Sequence, residues 1–314
     1  MTTDHSTALE DLLDVLTPDR IDARTFRPRG PVSWSSRHLY GGQVAAQALL
    51  AAGRTVAEDR PVHSLHAYFV RPGDPDAAVP LLFDVDEVRD GRAVSLRQVA
   101  ARQRDAVLFT LSASFHRAEP GLDHQDLMPA VGVPEALPTY EERLARALGE
   151  PVLPLGMPFD LRYAGPLSVE AQRDPALRTG SNPLWLRTNG ALPGDLPPLV
   201  HAALLTYISD ILLDTVALRH GLSWADGTAS PRSVDHAQWF HRPFRADDWL
   251  LLAQDTPVAY GGRALARAQV FTRGGDLVAS AVQEGLVRLR RRPAAEPGGP
   301  VSGPGPRTPR SPDR

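Results

Sequence analysis

Residues 69–115, FVRPGDPDAAVPLLFDVDEVRDGRAVSLRQVAARQRDAVLFTLSASF, are answered by residues 240–286, FHRPFRADDWLLLAQDTPVAYGGRALARAQVFTRGGDLVASAVQEGL, at one constant offset of 171. Phe69-x-Arg71-Pro72 returns as Phe240-x-Arg242-Pro243, and Gly91-Arg92-Ala93 as Gly262-Arg263-Ala264. Asp84 meets Asp255 and Gln98 meets Gln269. A single register held over a whole segment is the mark of a duplicated structural unit, so the chain reads as one domain built twice.

Outward from that stretch, each half shows the same order of elements. In the first, residues 39–56 open on Gly41-Gly42 and continue as an Ala/Leu helix with little polar relief, the pattern of a helix buried nearly all round. Extended segments follow at 62–70, 81–89, 93–103 and 106–116, rich in Val, Phe and Leu and separated by turn signals. The second half repeats this with a helix over 199–220, stopped by Gly221, and strands at 233–241, 249–255, 264–272 and 277–290. The expected architecture is α+β, two tandem repeats of one long helix wrapped by an antiparallel sheet. The domains expected are an N-terminal helical segment (1–22), a first repeat (23–118), a linker (119–158), a second repeat (159–290) and a Pro/Gly/Arg-rich disordered tail (291–314). Within the linker, Thr139-Tyr140-Glu141-Glu142 forms a capping-box start to a helix that runs to Leu148.

Composition narrows the chemistry. The 314 residues include no cysteine, and all 34 basic residues are arginine. Thiolate nucleophiles, Cys-type zinc sites, Schiff-base lysines and Walker A phosphate loops are thereby excluded. A net charge of −3 with interspersed signs offers no basic stripe for nucleic acid. No apolar run reads as the ~20-residue membrane span, and the acidic amino terminus lacks a secretory pattern, so a cytoplasmic protein is expected.

The segments Gly41-Gly42-Gln43-Val44, His63-Ser64-x-His66-x-Tyr68-Phe69-x-Arg71-Pro72-Gly73-Asp74, Val234-Asp235-His236-x-x-Trp239-Phe240-His241-Arg242-Pro243-Phe244 and Val282-Gln283-Glu284-Gly285 resemble the acyl-CoA thioesterase II family, in unbroken order from about Phe26 to Arg288. The resemblance implies a double hotdog fold and hydrolysis of fatty acyl-CoA to free acid and CoA, with no metal or redox cofactor. It also implies further assembly into a homo-oligomer. The catalytic residues it implies are Asp210 in Tyr207-Ile208-Ser209-Asp210, Ser233 before Val234-Asp235-His236, and Gln283. The hydroxyl is serine where many relatives carry threonine.

These types suit the reaction. A thioester carbonyl is electrophilic enough for a placed carboxylate to activate water directly, without a covalent nucleophile. The developing oxyanion needs donors, and by analogy with the fold these are the helix amino-terminal amides around Gly42 and Gln43. Read without the resemblance, Asp210 and Asp214 lie one turn apart on an apolar helix and cannot be ranked. Counting nine residues from each helix start sets Asp210 against Leu49, and the repeat sets Gln283 against Ser112, so only the second half keeps the polar groups. Strand alternation separates His63 from His66 and His236 from His241, which speaks against a metal; His66 is kept as a substrate-pocket residue. Arg71, Arg242 and Arg263 are the arginines considered for the CoA phosphates. A noncatalytic acyl-CoA binding protein and an enoyl-CoA hydratase or dehydratase are the alternative functions.

Overall fold

The computed structural model describes residues 5–29, 39–76, 79–152, 157–224 and 229–289. The tail read as disordered, 291–314, lies outside them. The first helix, α1 (His5–Leu16), is followed by short strands β1 (Pro18–Arg20) and β2 (Thr25–Pro28) and by α2 (Gly41–Gly53). Strands β3 (Val62–Phe69), β4 (Leu81–Asp90), β5 (Val94–Gln103) and β6 (Ala106–His116) complete the first half. The linker carries α3 (Tyr140–Leu148), whose capping box between Thr139 and Glu142 forms as the sequence expects. The second half comprises β7 (Phe159–Tyr163), α4 (Ser168–Arg173), β8 (Leu184–Thr188), α5 (Pro198–Ile208), α6 (Asp214–His220), β9 (Ala229–Ser233), β10 (Asp235–Phe240), β11 (Leu250–Tyr260), β12 (Arg263–Thr272) and β13 (Leu277–Leu289).

Among the described residues all 13 strands form one antiparallel sheet, in the order β1-β2-β4-β5-β6-β3-β10-β13-β12-β11-β8-β7, with β9 on the end of β13. The halves join where β3 pairs with β10, from Asp235 opposite Tyr68 to Trp239 opposite Ser64. The alternating inward residues of these strands meet α2 and α5, which cross antiparallel in the core. Gly42 lies against the Tyr207 carbonyl at one end, and Gly53 against Leu199 at the other.

Three expectations need correction. The helix over 199–220 is not one rod: α5 stops at Ile208, a 3-10 turn spans Ser209–Ile211, and α6 runs on to a left-handed Gly221. This run, Pro198–His220, is in fact long and apolar enough to cross a membrane by composition, and most of it is buried inside the protein. The amino-terminal segment is more than a surface helix, since Leu9, Leu12 and Leu16 are buried and the Gln47 side chain donates to the Val15 carbonyl at 2.8 Å.

The third correction concerns the repeat. The offset of 171 holds between β3 and β10, but matching the β-bulges at Asp86/Arg89 and Asp255/Val258 sets Asp86, not Asp84, in the place of Asp255, an offset of 169. A second matched pair of bulges, at Ala101/Arg102 and Val270/Phe271, makes it 170 in β6 and β13. Gln283 therefore corresponds to Ala113, which faces the core as it does, and not to the outward Ser112. A slip of one residue exchanges the faces of a strand, and sparse identities do not register it.

Candidate active site

Asp210 sits in the 3-10 turn, the second residue past the end of α5. Ending the α-helix there swings the carboxyl toward the amino terminus of α2, which approaches closely because Gly41 and Gly42 lack side chains. A Cβ on Gly41 would lie 2.7 Å from Asp210 Oδ2, and one on Gly42 would lie 2.1 Å from the Tyr207 carbonyl oxygen. The Gly42 amide donates to Asp210 Oδ2 at 2.8 Å, and the Tyr40 hydroxyl ties the helices together by donating to the Tyr207 carbonyl at 3.0 Å.

The structure brings Asp210, Ser233 and Gln283 together. Ser233, at the end of β9, donates from Oγ to Asp210 Oδ1 at 3.2 Å. Gln283 reaches inward from β13, and its Nε2 donates both to Asp210 Oδ1 and to Ser233 Oγ, the latter at 3.0 Å. Gln283 Oε1 is buried and has no partner among the described residues. Burial pushes the Asp210 carboxyl up to about 6, against the lowering effect of the bonds from Gln283, Gly42 and Ser233. Its side chain nevertheless keeps a narrow accessible edge. The site thus holds a desolvated carboxylate that protonates near neutral pH, fixed on three sides and open on one.

Gly42 differs from its expected role: its amide is engaged by Asp210 in this structure. Gln43 shares the first turn of α2, where amides lack a carbonyl four residues back, and its own side chain is buried with Oε1 unpartnered among the described residues. His66 is not brought to the site. It is exposed on the outer face of the sheet, edge-on to Trp239 at 5.1 Å, beside Tyr68 and Ser112. Arg242 is paired with Asp123 and Arg263 with Glu284, whereas Arg71 is exposed two residues past Phe69, whose ring contacts Gly41. Among the described residues no cluster of three His, Asp or Glu suits a metal ion.

Sequence reasoning missed the support beneath Asp210. Ser209 Oγ donates to the Thr206 carbonyl at 3.2 Å, so its contact with His236 Nε2 at 3.0 Å makes that nitrogen the donor. Burial pushes His236 down to about 4, so the ring is neutral and anchors the turn carrying Asp210 without adding charge. The signal was legible: His236 occupies the inward position that Leu65 fills in the first repeat, and a polar side chain there needs a buried partner.

The comparisons agree with this geometry. A family model for acyl-CoA thioesterases matches residues 173–286, and one for the acyl-CoA thioesterase N-terminal domain matches 30–116. The chain is 36% identical over 294 residues to acyl-CoA thioesterase 2 of Haemophilus influenzae, covering 90% of this chain and 99% of that protein. It is 36% identical over 289 residues to acyl-coenzyme A thioesterase 8 of Homo sapiens, covering 88% of each. An acyl-CoA thioesterase II from Mycobacterium marinum superposes with a TM-score of 0.72 at 36% identity, over 89% of this chain and 98% of that one. A conserved protein of unknown function with a hot dog fold from Alicyclobacillus acidocaldarius reaches 0.71 at 19% identity, over 90% and 99%, which establishes the fold alone. Fold and relatives together define a double hotdog thioesterase. The chain belongs to the acyl-CoA thioesterase II family.

Proposed function

We propose that this protein hydrolyses fatty acyl-CoA, with Asp210 as the general base for an attacking water. The observation that carries the reading is the convergence of Ser233, Gln283 and the Gly42 amide on one buried carboxylate that has an accessible edge. Ionised Asp210 takes a proton from water as the water oxygen bonds to the thioester carbon. Gln283 Oε1, unpartnered and beside the carboxylate, accepts the second water hydrogen and fixes its direction of approach. The oxyanion is met by amides of the first turn of α2. When the carbon–sulfur bond breaks, the proton held by Asp210 passes to the departing sulfur, leaving free acid and CoA thiol.

The test is thiol release from acyl-CoA by wild type and Asp210→Asn. The substitution should lower kcat by roughly 10²–10⁴-fold, the usual contribution of a general base. Because the base works only when ionised, wild-type turnover should fall as pH drops through about 6, and the inflection should vanish in the residual activity of Asp210→Asn. Equal turnover in both proteins, or a flat profile down to about pH 4, the ordinary range of an aspartate, would remove Asp210 from this role.

A further inference from the structure

One turn past Asp210 a second carboxylate, Asp214, is buried, and the mechanism above makes no use of it. It opens α6 and accepts a hydrogen bond from Trp224 Nε1 at 2.7 Å. It borders a cavity of about 240 Å³ whose apolar wall is built from Leu144, Leu148, Leu167 and Val169. The same cavity exposes the phenols of Tyr140 and Tyr163 and the side chain of Asn182, which is 2% exposed and whose Oδ1 has no partner among the described residues. No cation offsets Asp214 among the described residues. Burial holds both phenols above their ordinary range, so they remain protonated.

The balance of valences defines the occupant. The cavity presents two acceptors with capacity to spare, Asp214 and Asn182 Oδ1, inside an otherwise apolar wall. A plain alkyl group entering it would strip water from both and return nothing, whereas a group that donates hydrogen bonds would satisfy them. The position relative to the reaction is also fixed. Asp214 follows Asp210 by four residues, about 6 Å of helical rise, and the Tyr40 phenol lies within electrostatic reach of Asp210, Asp214 and Tyr163 alike. Tyr40 packs edge-to-face on Tyr207, and Tyr163 on Tyr140, so aromatic side chains line the way from one carboxylate to the other.

We propose that the cavity beside Asp214 is a subsite for the acyl group that selects chains bearing a hydrogen-bond donor, a hydroxyl or an ammonium, over plain alkyl chains of equal length. The inference rests on the hydrolytic reading of Asp210. Its test is kcat/KM for matched sets of acyl-CoA, ω-hydroxyacyl-CoA and ω-aminoacyl-CoA over a series of chain lengths, using wild type, Asp214→Leu and Asp214→Asn, with thermal unfolding as the check on folding.

At the length that reaches the cavity, wild type should favour a donor-bearing ester over its alkyl match by about tenfold or more. Asp214→Leu should reverse that preference, and Asp214→Asn should retain part of it for the hydroxyl while losing it for the ammonium. The two donors separate in the wild-type series: preference for the amine alone assigns the cavity to cations, and preference for both to hydrogen bonding. A wild-type ratio near one at every length, or a ratio that neither substitution moves in a folded protein, overturns the subsite and leaves the hydrolytic reading standing. Absence of thiol release from every ester overturns both.

Discussion

The two ends of the antiparallel α2–α5 pair are built alike and filled differently. Two residues past the end of α5 stands Asp210; two residues past the end of α2 stands Thr55. Opposite Asp210 are Ser233 and Gln283; in the same ladder positions of the first half are Val62 and Ala113. The cross-strand partners exchange size as well: Gln283 lies opposite Ala266, whereas Ala113 lies opposite Arg97. Arg97 fills the first-half end completely. Its buried guanidinium donates to Thr55 Oγ1 at 2.8 Å, to the Thr55 carbonyl at 2.9 Å, to the carbonyls of Arg89 and Leu96, and to Asp90 at 3.0 Å. One end is saturated and the other keeps an open carboxylate edge and an unpartnered amide oxygen. Duplication has divided the labour between an end that holds the fold and an end left free for chemistry.

The comparison is broken most severely at Gly42. A methyl group there would lie 2.1 Å from a backbone oxygen and 2.7 Å from the Tyr40 ring, so Gly42→Ala must push the helices apart and withdraw the amide from Asp210. A cost of about 3 kcal/mol or more in thermal unfolding, with turnover lost alongside, is the expected outcome. Next comes Arg97→Ala, which strips the saturated end: roughly 3 kcal/mol of stability should go while kcat per folded molecule is kept. Gln283→Ala is its converse. Giving the chemical end the residue of its counterpart should cut kcat by about 10²-fold, as for one lost preorganised donor, with the unfolding temperature kept or raised. Equal loss of activity from Arg97→Ala and Gln283→Ala would erase the proposed division. The smallest effect belongs to Gly53→Ala. Its added methyl meets only the tip of Leu199, at 2.2 Å, and the gain in helix propensity, up to about 1 kcal/mol, offsets the rotamer change. Its stability should stay within about 1 kcal/mol of wild type, with kcat unchanged.

Much of this was legible in the sequence, and the rest failed for identifiable reasons. Buried helices and four strands per half follow from periodicity, and the Thr139 capping box and the Gly221 stop appear as read. Strands β1, β2, β7 and β8 escaped because they are three to five residues long and carry no repeat partner. Counting from helix starts set Asp210 against Leu49, which is buried deep within α2, because α5 has 11 residues and α2 has 13; counting from helix ends gives Thr55. The break at Ser209–Ile211 left no composition signal, since the run stays apolar through it, and His66 was kept as a candidate because its strand face had not been assigned. Asp210, Ser233 and Gln283 were named by resemblance to a family, and spacing alone would not have joined residues from a helix and two strands.

The seam between β3 and β10 carries one further consequence. Gly42 comes from the first copy and Asp210 from the second, so the reaction centre belongs to neither alone. Were the polypeptide cut within the segment 117–158, each fragment would be left with an unpaired edge and half a site. Turnover of the mixed fragments would rise with the product of their concentrations. In the uncut chain the partner is always present, and the site's completeness no longer depends on how dilute the protein is.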